Sequence, residues 1–483
     1  MTGLALEDTR ASAAYDELLD VQGLPRQEFK ALTDFLHKMT AEQLIHRQKE
    51  VHLCIREMGI SFTVYSEGEN IDREWPFDLI PRLISLKEWR HTRIGLIQRL
   101  KALNHFIDDI YNRQEILAEG IIPEYVIQQS KGFRPQCLGI SPAFGAWANI
   151  CGSDLVRDAS GEFYVLEDNL RVPSGVSYML ENRKVMKRIF PEVFEHQDIL
   201  PNSDYPNRLR QLMCEMAPTN ASNPTLVVLT PGVYNSAYFE HSYLAQQMGA
   251  YLVEGQDLLV QDDFLYMKTV AGLQKVDAVY RRVDDEFLDP QVFRKDSMLG
   301  VAGLMQVWKK GHVALINAPG AGVADDKVVY AYVPEMIRYY LNETPLIHSV
   351  PTYLCVDEDQ RAYVLDHLQD LVVKPACESG GYGMLIGPHS EAHERQAFRK
   401  AILDNPRNYI AQPTLQLSTV PTLCENTLQP RHVDLRPFIL QAASHYVTEG
   451  GLTRVALREG SLVVNSSQGG GSKDTWILDT GEI

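Results

Sequence analysis

The chain has 483 residues, a net charge of -17 and a pI near 5.3. That balance excludes a protein built to grip a phosphate backbone, because nucleic-acid affinity rests on clustered Lys and Arg, while the length implies two or three packed units. No apolar run reaches the roughly 18 residues of a membrane span, and the start Met-Thr-Gly-Leu-Ala-Leu-Glu-Asp lacks a basic region followed by an apolar one, so a soluble cytoplasmic protein with no membrane partner is expected.

Residues 26–59 and 86–113 carry helical patterning; in the second, Trp89, Leu96, Leu100, Leu103, Phe106, Ile107 and Ile110 recur every three to four positions. Both read as packing helices without chemistry. After Gly145 the pattern turns to strands: Ala-Asn-Ile-Cys-Gly-Ser-Asp-Leu-Val-Arg, a turn at Asp158-Ala-Ser-Gly161, then Glu-Phe-Tyr-Val-Leu-Glu, which together predict a hairpin. Residues 190–224 are rich in Pro, Asn and Asp and mark a boundary. A strand at 225–229, a turn at Thr230-Pro-Gly232, a helix from about 236 to 248 and strands at 276–280 and 313–316 then give α/β character. The last stretch changes to short β runs at 371–374, 408–412, 433–441, 452–458 and 461–465 with one helix near 391–403, an α+β lobe. The expected division is 1–205, 206–345 and 346–483.

The seven cysteines (54, 137, 151, 214, 355, 377 and 424) are odd in number, scattered and never in a Cys-x-x-Cys pair, which argues against a disulfide framework and a thiolate zinc site. Cys377, although close to Lys374, reads as a small buried thiol and receives no role.

The hairpin carries the first chemistry. If its turn pairs Asp158 with Gly161, Asp154 faces Val165, and Val165, Glu167 and Asn169 share one face of the sheet. Asp154 is then a diagonal neighbour of Glu167, and two carboxylates with an amide oxygen within about 7 to 8 Å suit magnesium, which prefers hard oxygen ligands. Asp168 points away. The alternative is a solvated sheet face with Asn169 opening a turn.

The second candidate is Leu371-Val-Val-Lys374-Pro375, a short strand delivering a lysine, followed by Glu378-Ser379-Gly380-Gly381-Tyr382-Gly383-Met384. The glycines let backbone N–H groups approach an anion, and Lys374 adds a point charge for phosphate oxygens. No Gly-Lys-Ser/Thr follows, so this is not the common P-loop. A plain glycine turn between strands is the alternative.

Taken in order, these pieces resemble the ATP-grasp superfamily, and more closely its circularly permuted members related to glutathionylspermidine synthase. The similarity runs through Ala324-Asp-Asp-Lys327, Val350-Pro-Thr352, Lys374-Pro with its glycine loop, and Tyr409-Ile-Ala-Gln412, which is similar to the adenine-binding hinge. It continues through Asp434-Leu-Arg436, Arg454 and Asn465-Ser-Ser-Gln-Gly-Gly-Gly-Ser472. The Gly-x-Asp and Glu-x-Asn that follow in an unpermuted relative are missing here from the C-terminal end; they stand instead as Gly152-Ser-Asp154 and Glu167-Asp-Asn169, before Arg171 and Pro173-Ser-Gly175.

The resemblance implies a circularly permuted ATP-grasp fold with a preceding α/β domain and N-terminal helices. It also implies an ATP-dependent carboxylate-amine ligase acting through an acyl phosphate and releasing ADP and phosphate. Its cofactors would be ATP and Mg2+, its partners a small-molecule or peptide acid and an amine. Lys327 and Lys374 would hold α- and β-phosphates and the loop 378–383 would cover the terminal groups, with Gln412 and Asn465 also on the nucleotide. Asp154, Glu167 and Asn169 would hold metal. Arg436 and Arg454 would steady the transferred phosphoryl group, since a guanidinium offers forked donors to oxyanions. Arg171 and Ser174 are placed for substrate, while the segment 232–238 and Arg281-Arg282 read as structure rather than substrate contacts. Phosphotransfer to a small molecule and a silent nucleotide-binding scaffold remain open alternatives.

Overall fold

The computed structural model describes residues 14–66, 69–218, 222–378, 383–424, 427–464 and 470–479. Its largest sheet interleaves the two ends of the chain. In order, its strands are His348–Ser349, Phe163–Asn169, Ile150–Arg157, Thr427–Arg436, Leu452–Val455, Gly471–Leu478 and Phe77–Ser85. Ile150–Arg157 therefore lies between its hairpin partner and a strand some 280 residues further on, pairing also with Phe438–Gln441. At the other edge Gly471–Leu478 runs parallel to Phe77–Ser85.

Neither of those last two strands stands out in the sequence. Gly471–Leu478 is polar in composition yet wholly buried, because each charge meets a partner from the other end of the chain: Lys473 reaches Asp78, and Arg183 Nε lies 2.6 Å from Asp474. Buried charges survive only when paired and hydrogen-bonded, so these contacts are the condition for the strand's position.

The expected helix over 26–59 is two, Lys30–His37 and Ala41–Glu57. Thr40 separates them and caps the second with a reciprocal Thr40–Gln43 box. Helix Leu86–Tyr111 begins at Ser85, whose hydroxyl accepts from Glu88 N, and buries Leu96, Leu100, Leu103, Phe106, Ile107 and Ile110. It packs against the back of the hairpin: Asn104 exchanges hydrogen bonds with Ala148 at 2.8 and 3.1 Å, and Arg99 pairs with Asp168 at 2.7 Å.

A four-stranded parallel sheet, Ala314–Ile316, Ala278–Arg281, Leu226–Leu229 and Tyr251–Val253, carries the α/β character expected in the middle of the chain. An antiparallel meander, Leu258–Gln261, Phe264–Thr269 and Gly272–Lys275, sits within it in sequence. Asn317, just past Ile316, ties this sheet to the hairpin through both the N–H and the carbonyl of Ile150.

The last sheet is antiparallel, ordered Tyr353–Leu354, Tyr409–Pro413, Leu371–Pro375 and Leu385–Ile386, with helix Ala392–Asp404 beside it. The strand expected at 461–465 is corrected: residues 461–464 are irregular, and Asn465 lies outside the described residues. All seven cysteines are free thiols. Among the described residues no helix is long and apolar enough to cross a membrane.

Candidate active site

The hairpin register differs from the expected one in two places. The turn pairs Asp158 with Glu162, not Gly161, and a bulge at Leu166 adds one more residue before Glu167. The two offsets add, so Asp154 stands directly opposite Glu167 and Gly152 opposite Asn169, where a diagonal relation was expected. Together the two offsets keep Asp154, Glu167 and Asn169 on one face, but the bulge moves Val165 to the other: it pairs with Leu155 and is buried in the core, so its expected place beside Glu167 is corrected. Asp168 turns to the other face as expected, accepting from Arg99 and from Ser153 Oγ at 2.8 Å. Arg99→Met, which strands this buried carboxylate, is expected to cost about 3 to 5 kcal/mol of folding free energy, read by urea denaturation.

Across the seam of the two chain ends, Asp154 meets both arginines. Arg436 grips it bidentately at 2.5 and 2.7 Å, and Arg454 Nη2 lies 2.7 Å away while also binding Asp434. Burial would raise the Asp154 carboxyl; the two guanidiniums outweigh it and hold the group below the usual carboxylate range. Asp434, with Arg454 as its cation, is pushed upward by burial. Gly152 suits this close packing, because a Cβ there would lie 3.3 Å from Arg436 Cδ and 3.2 Å from Pro173 Cβ and would press on both.

Glu167 is the freer carboxylate. Its side chain is 23% exposed, against 1% for Asp154, and its nearest cations, Lys327 at 3.6 Å and Arg436 at 4.0 Å, stand beyond hydrogen-bond distance. Asn169 donates its amide N–H to Gly152 O at 3.0 Å, which leaves the amide oxygen as its outward acceptor.

The lysines come from the opposite wall. Lys374 lies on Leu371–Pro375 and donates to Gln412 Oε1 at 2.8 Å; Gln412 is fixed in turn by Thr352 Oγ1 at 3.0 Å. Thr352, which closes the Val350-Pro-Thr352 motif, was given no role in the sequence, and it orients the glutamine. Lys374 lines the cleft at depth, and the surrounding protein pushes its ammonium down to about 8 against the opposing pull of Glu167. Lys327 follows Asp326, which caps helix Lys327–Tyr330 and pairs with Arg407 at 2.7 Å. Its Nζ donates to Glu378 O at 2.6 Å, at the entrance to the glycine loop. Ser379, Gly380, Gly381 and Tyr382 lie outside the described residues; Gly383 has φ +66°, a conformation glycine favours.

These groups line one cleft between the largest sheet and the small antiparallel sheet. Asp154, Glu167, Asp434 and Arg454 form one wall, and Lys374 and Gln412 the other. Val350, Met384, Ile386, Leu462 and Val464 supply an apolar side suited to a flat aromatic base. Glu167 and Arg454 also line a second cavity, shared with Asn169, Arg171, Ser174, Asp325 and Arg436, so the two spaces adjoin at the charged end.

In the second cavity Arg171 is only loosely paired, 3.5 Å from Asp284 and 3.6 Å from Asp325. Ser174 Oγ and Pro173 O accept from Arg282, which pairs with Glu240 at 3.2 Å. Glu240 also accepts from Gly175 N and from Ser177, so this buried network fixes the loop over the cavity. Arg281 likewise is structural, bound to Asp285 at 2.7 Å and to the Asn317 carbonyl. Asp284 was missed in the sequence, and Asp325, although inside Ala324-Asp-Asp-Lys327, was given no role there.

A cleft between two antiparallel-rich sheets, with lysines on one wall and carboxylates and arginines on the other, agrees with an ATP-grasp fold assembled from a rotated chain order. The chain belongs to the circularly permuted ATP-grasp family: the description Circularly permuted ATP-grasp type 2 matches residues 81–456. An uncharacterized protein of Synechocystis sp. is 56% identical over 465 residues, 96% of this chain and 97% of that protein. A Frankia alni protein provisionally named glutamate–cysteine ligase 2-3 is 41% identical over 467 residues, 96% of this chain but 54% of that protein. A solved apo structure, the glutathione synthetase-like effector GSS30 of Globodera pallida, covers 91% of this chain and 98% of its own at TM-score 0.59 and 12% identity, a likeness of fold.

Proposed function

We propose that the protein is an ATP-dependent ligase that joins a carboxylic acid to an amine through an acyl phosphate, releasing ADP and phosphate. The observation that carries this reading is the adjoining of the two spaces at Glu167 and Arg454. A phosphoryl group held at the charged end of the cleft would face an acid in the second cavity. The name of the Frankia relative, a glutamate–cysteine ligase, agrees with the same reaction class.

Lys374 and Lys327 would bind the phosphates of ATP, with Glu378 and the loop through Gly383 beside them. Gln412 acts by holding Lys374. Glu167 and Asn169 fit magnesium with hard oxygens, and Glu167 has oxygens no cation has claimed, whereas the oxygens of Asp154 are engaged by Arg436 and Arg454, one of which would have to yield for it to join them. Among the described residues no group of three or more His, Cys, Asp or Glu could by itself hold a metal ion, so the phosphates of ATP would complete the set. When bound, the ion would neutralise charge on the transferring phosphoryl group. Arg436 and Arg454, aimed by Asp154 and Asp434, present their remaining donors where oxyanion charge develops. Arg171 and Ser174 stand toward the acid and amine substrates.

The direct test is phosphate release from Mg·ATP over pooled amino acids and glutathione. Release requiring both an acid and an amine, with an amide in the products, is expected. A phosphorylated product, or tight ATP binding without turnover, would replace ligation by phosphotransfer or by a silent scaffold.

Lys374 gives a separate expectation. Its ammonium is the form that holds an anion, so ATP affinity should be flat below about pH 8 and fall about tenfold per unit above it, until the higher pKa of the complex is reached. Calorimetry across that range checks this. Lys374→Arg, charged throughout, should flatten the profile.

A further inference from the structure

Forming an amide from an ammonium substrate requires that nitrogen give up two protons. One leaves with the departing phosphate; the other needs a base in the second cavity. The carboxylates that line it are Glu167, Asp284 and Asp325. Glu167 also lines the nucleotide cleft, where it is assigned to the metal. Asp284 is 44% exposed at the cavity edge, where solvent competes for its charge.

Asp325 differs from all of these. Leu170 N and Arg171 N donate to its Oδ1 at 2.6 and 3.1 Å, which fixes the carboxylate just where the chain leaves Glu167 and Asn169. Its Oδ2 has Arg171 Nε at 3.6 Å, too far for a hydrogen bond. It lines the second cavity and is two residues from Lys327. A carboxylate held by one oxygen, with a side chain 25% exposed in a cavity lining, has the geometry of a general base.

We propose that Asp325 is the proton acceptor for the attacking amine, an inference that rests on the ligation reading above. Asp325 Oδ2 takes one proton from the ammonium. The nitrogen then bonds to the acyl carbon, the carbon–oxygen bond to the phosphoryl group breaks, and the second proton leaves with the phosphate as hydrogen phosphate. Asp325 afterwards returns its proton to solvent. Burial raises its carboxyl to about 6, against the pull of Arg171, so it is ionised yet basic near neutral pH. The groups facing it are Arg171 and Lys327, with Asp284 beyond Arg171 and the Cys151 thiol behind.

The test compares the wild type with Asp325→Asn, using Mg·ATP, pooled amino acids and glutathione, with and without hydroxylamine. Hydroxylamine is largely uncharged at neutral pH and attacks an acyl phosphate without a base. Amide formation is expected to fall about 10²-fold or more while hydroxamate formation is preserved, with Mg·ATP binding and thermal melting near wild type. Retained amide formation, or equal loss of both products, overturns the role. Absence of hydroxamate from the wild type instead removes the acyl-phosphate reading, and this inference with it. Should the variant fail to fold, the wild-type profile decides, with the concentration of uncharged hydroxylamine held constant across the range: amide formation falls tenfold per unit below about pH 6 and hydroxamate formation does not, whereas a parallel fall overturns the proposal.

Discussion

Glu167→Gln is expected to lower Mg-dependent turnover by about 10²- to 10³-fold, with little change in folding stability. The carboxylate is part-exposed and makes no close ion pair, so its loss strands no buried cation. What disappears is charge. A neutral amide in its place binds a divalent ion more weakly and leaves the transferring phosphoryl group less compensated, and effects of this kind cost about 3 to 4 kcal/mol in the transition state. Phosphate release at saturating Mg·ATP measures it. Turnover within tenfold of wild type would remove Glu167 from the metal set.

Arg454→Met is expected to act on both stability and turnover. Arg454 stands between Asp154 and Asp434, nine-tenths buried, and is the cation that binds Asp434. Truncation leaves Asp434 buried without a partner, at a cost of about 3 to 5 kcal/mol, while Asp154 keeps Arg436. The double variant Arg454→Met with Asp434→Leu should recover most of the stability, because an apolar pair replaces a charged one. It should not recover turnover. Urea denaturation and phosphate release on the same samples separate the two roles, and a stable double variant with normal turnover would make Arg454 purely structural.

What could be read in the sequence was what lies close together along it. Gly152-Ser-Asp154 and Glu167-Asp-Asn169 announce a hairpin with acidic groups on one face, and the strand ending in Lys374 announces itself by its apolar run and glycines. The bulge at Leu166 could not be read, because β-bulge position depends on which side chains the neighbouring sheet must bury. Nor could the pairing of Asp154 with Arg436 and Arg454, 282 and 300 residues away. The motif order suggested only that the two ends meet.

Strands 77–85 and 471–478 show the same limit from the side of stability. Phe77–Ser85 contains Pro81 and Arg82 in an otherwise apolar run; Arg82 is buried against Glu17 at 2.6 Å. Period-two alternation is lost when both faces of a strand are covered. Asp325 was given no role for a different reason: Asp325 and Asp326 are chemically identical in sequence, and only the fold turns one toward Arg407 and the other toward Leu170 and the cavity.

The most direct measurement is a crystal structure with a non-hydrolysable ATP analogue and Mg2+. The account predicts the base against Ile386 and Val464, phosphates between Lys374 and Lys327, and metal on Glu167, so that residues from both ends of the chain touch one nucleotide. A nucleotide bound elsewhere, or one contacted by the C-terminal lobe with Asp154 and Glu167 remote from its phosphates, would contradict it.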